Sequence, residues 1–246
     1  MLRGWRAWGA MALCLAPVLL GFVLPVLLLL RLLLPTWASV EAARYLQWLA
    51  NTLGVAVGSS VVVLAVVLAL AYAARAAERG APARLVRASV RLMSLGYALP
   101  GAVVAVGILV PLAGFDNALD GFLKSLIGVG TGLLLTGSVF ALLYGYLVRY
   151  FAVAYQSVEA GLARITPAMD ASARSLGSTT FDTFVRVHLP ILSPSVLAAV
   201  LLVFVDVMKE LPATLVLRPF NFDTLAVVAY QLAADERLGE AALPAL

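Results

Sequence analysis

Five apolar stretches, near residues 10–34, 52–74, 92–114, 127–148 and 191–212, divide this chain and constrain its fold more than any motif does. An α-helix needs about 20 consecutive apolar residues to cross a bilayer core. With 63% hydrophobic and 12% charged residues, the chain has too little polar surface to cover a soluble core of its size. In lipid every backbone N–H and C=O must be bonded within the protein, which selects helices. The expected fold is therefore an all-α membrane protein: a polytopic helical bundle forming one transmembrane domain over 1–246, with five full spans and a truncated sixth from 241. The first span is too long for the 7 to 15 residue apolar core of a secretory signal.

Basic residues set the expected orientation. Eleven of the seventeen fall on one side if the N-terminus is cytoplasmic, including five arginines against Glu78 in the short loop from Arg75 to Arg91. Arg149 closes the fourth span on that same side. The net charge of +4 then reflects topology and contact with the lipid bilayer, not nucleic-acid binding. Cys14 is the single cysteine, so no intramolecular disulfide can form.

Gly54 with Gly58, and Gly128 with Gly132, place small residues four apart, a pattern that lets helices approach closely in lipid. Pro100 should bend the third span, either as a packed kink or around a pathway. Residues 115–124 read as a solvated outer loop without assigned chemistry, and 224–238 as an outer amphipathic helix.

Residues 150–190 form a long cytoplasmic coupling region. Thr166 followed by Pro167 is a helix start, since a hydroxyl can cap free amides and proline suits the first turn. That helix should stop at Gly177, where a positive φ costs a glycine nothing. Ser178, Thr179 and Thr180 offer a second start, for a helix ending at Pro190. Two short helices around a glycine turn make a compact knob below the membrane.

The run MDASARSLGSTTFDTFVRVHLP, 169–190, resembles the inner-loop motif of the membrane subunits of ABC importers: E-A-A, three residues, G, nine residues, I, one residue, L-P. Ala171, Ser172 and Ala173 stand at the first three positions, Gly177 at the glycine, Val187 at the isoleucine, and Leu189 and Pro190 at the end. Ala171 replaces the motif's glutamate, with Asp170 just before it. The stretch 208–246 is similar to the corresponding part of ferric-iron importer permeases, and nearly the whole chain resembles the second, C-terminal half of such a permease. The resemblance implies a helical bundle of the ABC importer type whose coupling helix fits a cleft on a cytoplasmic ABC ATPase dimer. Asp170, Ala171, Ser172, Ala173, Gly177, Val187, Leu189 and Pro190 would make that coupling element. It also implies an extracytoplasmic solute-binding protein, a second permease half or subunit, a bacterial inner-membrane location, and ferric iron as cargo. Thiamine, phosphonate, sulfate and polyamine permeases share the scaffold.

No phosphate-cradling G-x-x-x-x-G-K-[ST] sequence is present, so ATP and Mg would belong to the partner ATPase, and the chain itself is read as no enzyme, binding no cofactor or metal. His188, the one histidine, falls at a position the motif leaves free and reads as a membrane-edge residue. Asp206, Lys209 and Glu210 are the ionisable groups of the fifth span. A charge at a helix centre costs about 2.5 to 3.5 kcal/mol, so these three either line a pathway or lie at the outer headgroups, where Lys209 can snorkel. Asp206 and Lys209, one turn apart, can pair. An ion-coupled secondary transporter, with a site on broken helices, and a non-transporting scaffold are the competing classes.

Overall fold

The computed structural model describes residues 4–37, 41–76 and 81–246; the side chains of residues 6, 7, 76, 81–83 and 180 are also outside the description. Glu78 and Arg79, used above for orientation, lie outside the described residues. Four described helices are long and apolar enough to cross a membrane: Trp8–Leu33, Ala42–Arg75, Gly101–Ile127 and Phe181–Met208. The chain divides into two compact units, residues 1–51 with 223–246, and residues 52–222.

In the first unit, helix α1 (Trp5–Val18) passes through a widened turn, Leu19–Val23, into α2 (Leu24–Leu33). Pro25 lacks an N–H, and a wide turn before it lets the helix run on without that bond. Beyond α2, the Thr36 hydroxyl bonds the Gly239 carbonyl at 2.9 Å. A side chain at Gly239 would meet Thr36 Cγ2 at 2.7 Å, so glycine permits the approach. The helix expected over 224–238 is two: α11 (Leu225–Ala234) and α12 (Leu238–Ala245), which packs on α11 and α2. Residue 241, the expected start of a sixth span, lies within α12.

The second unit takes over α3 (Ala42–Ala76) from Thr52 onward and adds α4 (Ala81–Ser94), α5 (Gly101–Ile127) and α6 (Val139–Leu162). Then follow α7 (Pro167–Ser175), α8 (Thr180–Thr183), α9 (Leu189–Met208) and α10 (Pro212–Leu217). At the centre lies α6, burying Leu142, Tyr146, Tyr150, Phe151 and Val158 among Val63 and Val67 of α3, Ala105 of α5 and Val203 of α9. It runs antiparallel to α9. Gly161 lies against Leu192 and Ser195, while the Tyr150 hydroxyl reaches the Asp206 carbonyl at 3.2 Å.

Several expected boundaries move. Pro100 does not bend a span; it sits just before α5, after a tight turn at Leu95–Ala98, and Pro111 is the proline inside that helix. Residues 115–124 are not a loop but the last turns of α5. The span expected at 127–148 is displaced, because 128–138 is non-helical and α6 runs to Leu162. Gly128, Gly132 and Gly137 take φ of +73°, +63° and +69°, so glycines read as a helix-packing pattern are turn formers instead. Buried Asp116 accepts the Thr136 and Leu135 amides at 2.7 and 3.0 Å, holding the folded-back loop. At the other end the chain does not break at Pro190. A widened turn, Phe184–His188, carries it into α9, and the continuous helix starts near Phe181. Of the first glycine pair, a Cβ added at Gly58 would lie 3.7 Å from Leu143, an ordinary contact, and one at Gly54 would meet nothing within 4 Å.

Candidate functional site

Two polar clusters stand out in the second unit: one at the loop between α6 and α9, the other where α5 and α10 begin.

In the loop, Pro167 opens α7 as expected, but the Thr166 side chain caps nothing. The helix ends at Gly177, whose φ is +79°. There the Ser178 amide reaches back to the Ala173 carbonyl at 3.1 Å, the six-to-one bond of a glycine-terminated helix. The projecting edge is apolar: Leu176 is 86% and Phe181 74% exposed, with Met169 also outward. Exposed apolar side chains around a rigid turn suit a partner's cleft. Ala171 and Ser172 are exposed beside them, Ala173 is buried against the body, and Leu189 and Pro190 lie exposed at the start of α9. Val187 is half-buried.

Asp170 faces inward. Its Oδ2 accepts from Arg75 at 2.6 Å and its Oδ1 from His188 Nε2 at 2.6 Å. The other ring nitrogen, Nδ1, accepts from the Tyr72 hydroxyl at 2.8 Å, a pattern that suits the Nε2–H tautomer. Arg75 also donates to the Ile165 carbonyl at 3.1 Å, and the Tyr72 ring meets Phe184 edge-on at 5.0 Å. Burial raises the Asp170 carboxyl, but the bonds from Arg75 and His188 outweigh it and hold the group below the usual carboxylate range. His188, given no role from sequence, is buried and is the hub of this cluster. Its spacing from Asp170 carried no signal, because the contact closes across a turn of the loop.

The second cluster centres on Glu210, also buried. Its Oε2 accepts from Arg149 Nε at 3.0 Å and from the Tyr150 hydroxyl, while Oε1 accepts the Ala213 amide at 3.2 Å. Arg149 further donates to the Leu99 carbonyl at 2.9 Å, just before α5. The Glu210 carbonyl takes the Thr214 hydroxyl at 2.6 Å, which pairs with buried Tyr146. One carboxylate thus caps α10, pins α6 and, through Arg149, secures the turn before α5. A Cβ at Gly101 would lie 2.6 Å from Glu210 Oε1, so any side chain there would have to displace the carboxylate.

Of the three ionisable groups singled out in the fifth span, only Asp206 and Lys209 join each other, at 2.8 Å, and Lys209 is exposed. Glu210 is sealed away from them. Arg149, expected to end the fourth span, instead stands in the middle of a 24-residue helix and pairs with Glu210, two residues past the end of α9. The boundary error at the fourth span hid this partner. Among the described residues no group of His, Cys, Asp and Glu could hold a metal ion.

No family model matches the chain. The Fe(3+)-transport system permease protein FbpB 2 of Haemophilus influenzae is 28% identical over 151 residues, 61% of this chain and 27% of that protein. The putative 2-aminoethylphosphonate transport system permease protein PhnV of Salmonella typhimurium is 28% identical over 142 residues, 57% of this chain and 48% of that one. The chain thus spans half or less of the length of these curated relatives. A bacterial alginate ABC transporter, solved in complex with an alginate pentasaccharide-bound periplasmic protein, contains a chain matching 96% of this one and 87% of its own length, with a TM-score of 0.71 at 16% identity. The sequence matches bear out the likeness drawn from residues 169–190, and the structural match bears out the helical architecture.

Proposed function

We propose that this chain, which has the fold of an ABC importer permease and resembles that family in sequence, is a membrane-spanning subunit of an ATP-driven, binding-protein-dependent importer. It would move solute by alternating access and catalyse no reaction. The observation that carries the reading is the loop between α6 and α9: motif spacing from Ala171 to Pro190, a rigid Gly177 turn, and Leu176 and Phe181 projecting beside it. Helix-in-groove docking is the recognition mode that such an edge supports. A cytoplasmic ABC ATPase dimer would grip it, carrying the ATP and Mg; a solute-binding protein would deliver cargo at the opposite face, and a second permease half would complete the pathway. The N-terminus is then cytoplasmic, in a bacterial inner membrane.

Ferric iron is the cargo this reading favours, supported by the longer of the sequence matches; the phosphonate permease match supports a phosphonate as the second reading. Titrating the cognate binding protein with ferric ion and with 2-aminoethylphosphonate separates them. An ion-coupled transporter would use the charges at the helix breaks, and it would keep working after the ATPase gene is deleted. The decisive experiment is co-purification of an ATPase with the full chain, followed by uptake and hydrolysis measured together in proteoliposomes. Gly177→Val is expected to uncouple the two, since a β-branched residue at φ +79° is strained by about 1 to 3 kcal/mol. Uptake at the parent rate per ATP would overturn the assignment.

A further inference from the structure

Helix α7 has almost no packing of its own to hold it. Among its nine residues only Ala173 is buried, and a helix this short is marginal by itself. Yet a loop that transmits force has to be stiff where it meets the bundle. Tyr72 and Arg75, one turn apart on α3, meet that need at three points along the chain. Arg75 fixes the Ile165 carbonyl ahead of α7, Asp170 fixes α7 itself, and Tyr72 fixes His188 where the chain returns to α9. The Asp170–His188 bond closes the circuit across the loop. His188 is buried, Tyr72 is half-buried, and Arg75 and Asp170 are 23% and 21% exposed. Charge-assisted bonds of this kind, partly shielded from water, are stronger and more directional than surface ion pairs.

We infer that Tyr72, Arg75, Asp170 and His188 form a positioning cluster that locks α7 to α3 and α9, so that the loop and these two helices move as one body. Asp170 stands next to the place of the motif's glutamate but turns into the bundle. Its role is to hold the docking edge, and the partner's contacts fall to Met169, Leu176 and Phe181. The inference deepens the importer reading above and rests on it for its transport consequence, though the rigidity itself is a property of this chain alone.

The test uses the full chain in nanodiscs, with Cys14→Ser removing the single native cysteine and spin labels at Ala69 of α3 and Ser172 of α7, both exposed. A narrow distribution of label distances is expected, broadening in Asp170→Asn and in Tyr72→Phe. The second variant removes one hydroxyl and keeps the ring, so it reports even where the first misfolds. A width unchanged in folded Tyr72→Phe and Asp170→Asn overturns the inference. In proteoliposomes with the co-purified ATPase, either variant is expected to lower transport per ATP by roughly tenfold, within the usual range of coupling free energies, with the chain still folded and ATPase assembly retained. The conservative Asp170→Glu should recover part of the loss, and an unaltered transport-to-ATP ratio in the broadened variants overturns the mechanical role. The distance measurement needs no ATPase. Failure of the importer reading would instead show as no ATPase bound by the parent chain, with the label distances still narrow.

Discussion

The Asp170 cluster and the Glu210 cluster are built from the same parts, a carboxylate, an arginine and a tyrosine, yet they differ in what they join. Asp170 ties a projecting loop to the side of two helices and keeps about a fifth of its side chain in contact with solvent. Glu210 is 6% exposed and ties together the starts of two helices and the middle of a third. The first is a clamp on something that protrudes; the second is a keystone among interrupted helices. Burial separates their energetics. A withdrawn charge left without its partner is far more costly than one that water can reach.

That contrast can be broken most sharply at Glu210. Glu210→Ala leaves Arg149, 22% exposed, without its carboxylate and the buried Tyr150 hydroxyl and Ala213 amide without their acceptor, and is expected to cost about 3 to 5 kcal/mol, read as loss of folded protein on extraction or a large drop in melting temperature. Folding intact would make the keystone unnecessary. Next comes Gly101→Val, which forces a side chain against the Glu210 carboxylate; overpacking costs about 1 to 3 kcal/mol, and a melting curve superimposable on the parent's would contradict the close approach.

The clamp should respond to acid in a way that identifies it. Asp170 has its carboxyl held below the unfolded-chain value, so its stabilisation is complete at neutral pH and drains away as pH falls through that lowered value. Melting temperatures of the parent and of Asp170→Asn should therefore converge on acidification from pH 7 to about 3, and a gap that stays constant would mean Asp170 is not ionised in its cluster. The smallest effect is expected at the rim. Asp206→Asn breaks a pair whose lysine is 71% exposed and should change stability by about 0 to 1 kcal/mol. A larger change would move Asp206 into the same class as Glu210.

Much of the loop between α6 and α9 was legible because it is local. Pro167 and Gly177 act on the backbone within a residue or two, so the helix and its stop follow from residue type. The Asp206–Lys209 pair was legible for the same reason, being a single helical turn. The interrupted helices were not. Leu133, Leu134 and Leu135 read as span interior, while the glycines on either side were already bending the chain back onto Asp116. Once that boundary was misplaced, Arg149 lost its position at mid-helix, and with it the link to Glu210.

The sequence by itself determined that this chain is a helical membrane bundle and where the helix-turn of the loop between α6 and α9 lies, because hydropathy over twenty residues and the backbone demands of proline and glycine act at short range. Only the tertiary structure decided which charges meet. His188 with Asp170, and Arg149 with Glu210, are brought together by antiparallel helices and turns whose register depends on packing across the whole unit. No pattern along the chain encodes that packing.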